Sequence, residues 1–109
     1  MSEVNNQPKP DWSPVPRPGC KNVEVRVLLN SDGILIANLR FGSDATIDEH
    51  SAPYDIDVIC VEGSGFTSVD GEASAIRQGQ TVRWPRDKQH QLWTESTTME
   101  TIMVERYDG

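Results

Sequence analysis

Apolar and polar residues alternate along several segments of the chain, which is typical of half-buried β-strands. In 22–27 every second residue is a valine, and strand-like runs follow at 34–41, 55–62, 66–69, 72–76, 81–84, 90–94 and 99–105. No window has the apolar period, the cap and the stop signal of a helix. Short strands with frequent turn signals predict an all-β sandwich or barrel, with about eight to ten strands in the barrel case.

Turn residues set the expected ends of these strands. The pair Asp70–Gly71 between two strand-like runs is a strong hairpin signal. Turns are also expected at 30–33 and at Gln78–Gly79. The segments 42–44 and 63–65 contain glycine and are expected to end the second and third strands.

The first 19 residues have a different character. They contain Pro8, Pro10, Pro14, Pro16 and Pro18 in a polar setting. Proline at alternate positions excludes both a helix and the interior of a sheet. We therefore expect an extended proline-rich arm over 1–19, which packs its tryptophan on the domain or on a neighbouring subunit, and a barrel domain over 20–109.

Composition narrows the set of partners. The chain has 109 residues and a net charge of −7, which argues against nucleic acid and against an anionic membrane surface. It has no apolar run of membrane-spanning length and no signal-like start, so a cytoplasmic protein is expected. In that compartment Cys20 and Cys60 are expected to remain reduced. A core this small favours a homodimer.

The chain has only two histidines, and both lie at strand-like segments. Asp48, His50 and Ala52 share one face if their strand persists, and His90 shares a face with Leu92 and Thr94. If both faces point into a small barrel, two imidazoles and a carboxylate converge. We expect the ring nitrogens of the two histidines to lie about 3–5 Å apart, close enough to share one ion or water. Such donors suit Mn, Fe, Ni, Cu or Zn.

The segment 79–94 resembles the second motif of the cupins, Gly-x5-Pro-x-Gly-x2-His-x3-Asn. Gly79, Pro85 and His90 stand at the expected positions, Asp87 replaces the middle glycine and Thr94 replaces the final asparagine. Over roughly 22–106 the chain is therefore similar to a small single-domain cupin. The resemblance implies a double-stranded β-helix (jelly-roll) barrel.

The first cupin motif, Gly-x5-His-x-His-x(3,4)-Glu-x6-Gly, can be aligned in two registers. Counting from Gly42 places Asp48 and His50 at the two histidine positions, with Asp55 near the glutamate. A second register makes His50 the first histidine, puts Ala52 at the second, and includes Asp55 in a His-x-His-Pro-aromatic-Asp variant. Both registers place His50 inside the barrel, and they differ over the two aspartates.

The resemblance implies a pocket that holds a divalent metal or a small polar ligand. His50 and His90 would be the metal ligands, with Asp48 or Asp55 as further candidates, and the expected pocket lining is Ala52, Arg83, Trp84, Trp93 and Thr94. A metal-dependent oxygenase or isomerase-type enzyme would follow, its metal polarising a carbonyl or activating oxygen or water. Two alternatives stay open: a metal-free binding or sensor module, and a structural dimer with a vestigial pocket.

Overall fold

The structure, a computed structural model, describes residues 3–4 and 11–107. These residues form eight strands and no helix, as the alternation predicts. None of them belongs to a helix long and apolar enough to cross a membrane. The strands are β1 Ser13–Pro14, β2 Lys21–Ser31, β3 Ile34–His50, β4 Ile56–Val69, β5 Glu72–Arg77, β6 Thr81–Trp84, β7 His90–Trp93 and β8 Met99–Arg106.

The sheet closes into a barrel through two long strands, β3 and β4, which share the antiparallel partners β7 and β8. At one end β8 lies between residues 34–41 of β3 and 56–63 of β4. At the other end β7 lies between residues 46–50 of β3 and 66–69 of β4. Strand β2 continues the sheet beyond β3, while β5 and β6 pair with different parts of β4. The predicted closed all-β barrel is confirmed.

The two long strands run through the points where the sequence predicted breaks. The segments 42–44 and 63–65 are bends within β3 and β4, where pairing changes from β8 to β7. A Cβ on Gly65 would come within 2.6 Å of the Trp93 carbonyl oxygen, so glycine permits this close approach. Glycine therefore marks a bend here, and the prediction that it ends both strands is wrong.

Thr94 fixes the bend in β3. Its hydroxyl donates to the Gly42 carbonyl at 2.6 Å and accepts from the Ala45 backbone N–H at 3.0 Å. The side chain is buried, and both hydrogen bonds satisfy backbone groups that the change of partner strand leaves without a ladder partner. Thr94 thus stabilises the barrel wall.

The Asp70–Gly71 turn joins β4 to β5 as a hairpin, as predicted. Both residues have positive φ, 51° and 84°, which is the backbone of a two-residue type I′ turn. Asp87, which replaces the motif glycine in the turn before β7, has φ 64°. Aspartate tolerates this left-handed conformation better than most residues, so the turn keeps its shape without glycine.

The described part of the N-terminal arm packs on its own barrel. Strand β1 pairs with β2, and the Trp12 ring contacts the guanidinium groups of Arg26 and Arg40, each 4.3 Å from a ring centroid. Such cation–π contacts contribute on the order of 0.5–1 kcal/mol each at exposed sites. Further along the arm, Val15 and Arg17 reach the barrel opening. The segment 5–10, with Pro8 and Pro10, lies outside the described residues.

Candidate functional site

The fold brings the two histidines together. His50 at the end of β3 and His90 at the start of β7 are direct cross-strand partners. Their Nε2 atoms are 3.1 Å apart and their ring planes are nearly perpendicular, at 83°. This separation lies within the range expected from the sequence.

A bulge in β3 decides which side chains near His50 face the barrel interior. The register with β7 shifts between Ile47 and His50, and both of these residues line the interior cavity. An inserted residue reverses the alternation, so residues three apart face the same side. Asp48 therefore does not share the inward face, and its carboxylate contacts Arg17 and the Cys20 thiol.

A backbone carbonyl orients the His50 ring. His50 Nδ1 is 2.8 Å from the Asp48 carbonyl oxygen, which can only accept, so Nδ1 carries the hydrogen. The two Nε2 atoms share one contact, in which one ring donates and the other accepts. His90 Nδ1 is left as a buried nitrogen without a hydrogen-bond partner. His50 Nε2 is thus directed at His90.

His90 is enclosed behind His50. It is 0% exposed, and the Trp84 ring stacks on it with centroids 4.0 Å apart and an interplanar angle of 11°. Burial, followed by the nearby His50 and Arg17, lowers the pKa of His90 to about 4, although the Lys88 backbone acts in the opposite direction. His90 is therefore neutral near pH 7.

An interior cavity of about 310 Å³ opens next to this pair. Its wall includes His50 but not His90, and most of the wall is apolar. The apolar lining is Val15, Val25, Ala37, Leu39, Ile47, Ala52, Pro53, Ile56, Trp84 and Met103, and the polar lining is Arg17, His50, Ser51, Tyr54 and Glu105. A cavity of this size is at the lower end of ligand pockets, which span roughly 300–1,000 Å³.

Of the five residues expected to line the pocket, Ala52 and Trp84 do so. The structure places the other three elsewhere. Arg83 is exposed on the outer face and binds Asp57 with two hydrogen bonds of 2.8 and 3.0 Å. Trp93 stacks on Phe66, and Thr94 holds the bend in β3. Trp93 lies on the opposite face of β7 from His90, and Thr94 lies beyond the far end of that strand, which periodicity by itself does not reveal.

Asp55 also lies outside the cavity. Its carboxylate accepts the backbone N–H of Arg86 at 2.8 Å and is 3.8 Å from Arg83. These contacts hold the turn before β7 against the start of β4. Both aspartates that the sequence offered as metal ligands therefore have structural contacts instead, although the Asp48 backbone carbonyl does orient the His50 ring.

The donor set does not fit a metal centre built from protein ligands. In the second register the second histidine position carries Ala52, which lines the cavity with a methyl group. The remaining two imidazoles already hydrogen-bond one another. Within residues 3–4 and 11–107, no group of three or more His, Cys, Asp or Glu side chains could hold a metal ion. Structural sites need four protein ligands and catalytic zinc sites three.

Sequence reasoning missed four polar residues of the cavity, Arg17, Ser51, Tyr54 and Glu105. Tyr54 donates its hydroxyl hydrogen to Glu105 at 2.8 Å across the opening, and Arg17 reaches the cavity from the arm. Alternation along β8 could have placed Glu105 on the same face as Met103, which the cavity confirms. No comparable signal existed for Tyr54 or Arg17, because both lie outside regular strands.

Comparison with known proteins identifies the fold. No family model matches the sequence, and no curated protein matches it. Among solved structures, the polyketide cyclase RemF from Streptomyces resistomycificus is similar with a TM-score of 0.84 and 18% identity, covering 99% of this chain and 80% of that one.

Two further solved structures support the same fold. KdgF from Halomonas sp. has a TM-score of 0.77 and 16% identity, covering 91% of this chain and 89% of that one. A cupin-2 domain from Rhodospirillum rubrum has a TM-score of 0.79 and 16% identity, covering 96% and 75%. These likenesses and the closed barrel show that the chain is a small cupin-like protein with the cupin fold.

Proposed function

We propose that this cupin-like protein binds a small, largely apolar organic molecule inside its barrel without a metal ion. One observation carries the proposal: the cavity of about 310 Å³ has predominantly apolar walls, while the Nε2 atom of its histidine contacts a second, buried histidine. Apolar surface removed from water supplies the main binding energy, and the few polar groups orient the ligand.

The metal-dependent oxygenase or isomerase implied by the cupin motifs is not part of this proposal. Its chemistry needs a metal with open coordination positions. Binding that metal would require a third protein ligand. The two candidates, Asp48 and Asp55, bind arginine and backbone groups instead. A binding or sensor module requires only the cavity.

Ligand binding is tested with a panel of small aromatic alcohols, acids and amines in the presence of a chelator. We expect members of the panel to bind wild-type protein and to raise its melting temperature. Ala52→Phe fills the cavity and should abolish binding. Ala73→Phe, on the exposed face of β5, is the matched control and should bind normally. A panel that fails to bind, or that binds Ala52→Phe equally well, would leave the vestigial pocket as the better account.

Metal titration is expected to show no stoichiometric binding of Mn, Fe, Ni, Cu or Zn at micromolar concentration. The wild-type site has two imidazoles, of which only that of His50 lines the cavity, whereas an open zinc site needs three protein donors. Ala52→His adds an imidazole on the cavity wall and should create stoichiometric binding of Ni or Zn. Competition with a chromophoric chelator measures both proteins.

The control for that titration is His90→Ala, made alone and together with Ala52→His. The double variant should lose the added metal binding because it again has two imidazoles. Stoichiometric metal in wild type that disappears in His90→Ala would contradict the metal-free proposal and restore the cupin ligand assignment.

We also propose that the protein forms a homodimer through the outer edge of β2. Val27, Leu28 and Leu29 are 40–43% exposed, and the described part of β1 pairs only with Val25 and Glu24. An apolar edge of this kind is a template for pairing with another strand. Sedimentation should show a dimer that Leu29→Lys converts to monomer. Val61→Lys, an exposed apolar position elsewhere, should remain dimeric.

A further inference from the structure

The polar groups of the cavity form two sets. Arg17 and His50 belong to one set, and the guanidinium of Arg17 forms an ion pair with Asp48. Tyr54 and Glu105 form the other, joined by a hydrogen bond of 2.8 Å from the tyrosine hydroxyl to the carboxylate. Apolar residues from β2, β3, β4 and β8 make up most of the remaining wall.

The charges of the two sets do not cancel. The positive charge of Arg17 is matched by Asp48. Glu105 takes part in none of the ion pairs among the described residues, and its neighbour Arg106 binds Asp57 at 2.5 Å on the opposite face of β8. Tyr54 stays neutral, because burial, the hydrogen bond to Glu105 and the charge of Glu105 raise its pKa to about 12. Among the residues that the structure describes, one carboxylate is therefore left at the cavity without a paired cation.

We infer that the ligand of this cavity is a small organic amine, bound with its protonated nitrogen at Glu105 and its apolar body against the barrel wall. The inference rests on the proposed small-molecule function and adds the chemical class of the ligand. The Glu105 carboxylate accepts hydrogen bonds from the ammonium group, and the tyrosine oxygen, whose hydrogen is given to Glu105, has a lone pair for another.

The surroundings strengthen this preference for a cation. Partial burial lowers the local dielectric constant, so an ammonium–carboxylate contact gains more than it would in water. A carboxylic acid of the same shape would meet the Glu105 charge and find the Arg17 guanidinium already paired. A neutral alcohol would fill the same space and form hydrogen bonds without the ionic attraction.

The experiment measures calorimetric affinities of three probes with one phenyl body: phenethylamine, phenethyl alcohol and phenylacetate. Each is titrated near neutral pH with a chelator present. We expect wild type to bind the amine about tenfold more tightly than the alcohol, with the acid weakest of the three. Glu105→Gln keeps the side-chain shape and removes the charge, so it should abolish the about tenfold advantage of the amine over the alcohol. Glu100→Gln, on the same strand but outside the cavity lining, is the control and should bind as wild type does.

The outcomes separate the ligand class from the cavity function. If the alcohol binds but the amine binds no better, or if the advantage of the amine persists in Glu105→Gln, the amine inference is wrong and the cavity function stands. Tightest binding by phenylacetate leads to the same conclusion. If none of the three probes binds wild type, both the amine inference and the proposed function are overturned.

Discussion

Trp84→Ala is expected to lower the free energy of unfolding by about 3–5 kcal/mol, the largest loss predicted for a single side chain of this barrel. Trp84 is 1% exposed and stacks on the buried His90 ring. Its indole N–H also donates to the Thr67 hydroxyl at 3.0 Å. Truncation leaves a cavity beside His90 and removes this hydrogen bond, and both effects are destabilising. Urea denaturation measures the loss.

Trp93→Ala is the matched control for that experiment. Trp93 is partly buried on β7 and stacks on Phe66, so its removal should cost roughly 1 kcal/mol. If Trp84→Ala does not fold, Trp84→Phe provides the measurement, with an expected loss of about 1–2 kcal/mol from the hydrogen bond and part of the packing. Equal losses for the two alanine variants would contradict the central packing role of Trp84.

Acidification is expected to destabilise the protein through His90. The folded-state pKa is lowered from 6.5 to about 4, so between these values the unfolded chain binds more protons than the native protein. Stability therefore rises with pH across this window, and the contribution of His90 is fully present above about pH 6.5. Lowering the pH from about 7 to about 5 should cost roughly 2 kcal/mol from this residue.

His90→Gln tests the assignment of this pH dependence. Glutamine has no titration in the window and places an amide nitrogen near the position of Nε2, so the variant should be less stable at neutral pH but should show a flatter pH profile. Chemical denaturation at a series of pH values provides the comparison. A profile with the same slope as wild type would show that other groups cause the acid sensitivity.

The sequence was most informative where a local pattern has a local structural cause. Alternation predicted the all-β fold, and Asp70–Gly71 predicted a hairpin because aspartate and glycine tolerate the positive φ of a type I′ turn. The spacing from Gly79 through Pro85 to His90 predicted a turn that delivers a histidine to the start of β7, and the structure has that arrangement. The same spacing underlies the resemblance to cupins, whose fold the chain has.

The sequence was least informative where a strand bends or bulges. Gly42, Gly63 and Gly65 were interpreted as strand ends. A bend within a paired strand also favours glycine, because a residue without a side chain lets a neighbouring backbone approach closely. The bulge between Ile47 and His50 had a similar effect on the site. The bulge reverses the alternation of side chains along β3, so Asp48 does not face the barrel interior as strict periodicity predicts.

By itself, then, the sequence determined the all-β class, the hairpin at Asp70–Gly71 and the choice of His50 and His90 as candidate site residues. Each depends on near neighbours in the chain, whose periodicity and turn preferences are visible without a partner strand. Only the tertiary structure decided that the two rings hydrogen-bond one another, that the aspartates lie outside, and that Tyr54 and Glu105 meet at the cavity. These contacts join residues 31 to 51 positions apart, and barrel closure rather than local pattern brings such residues together.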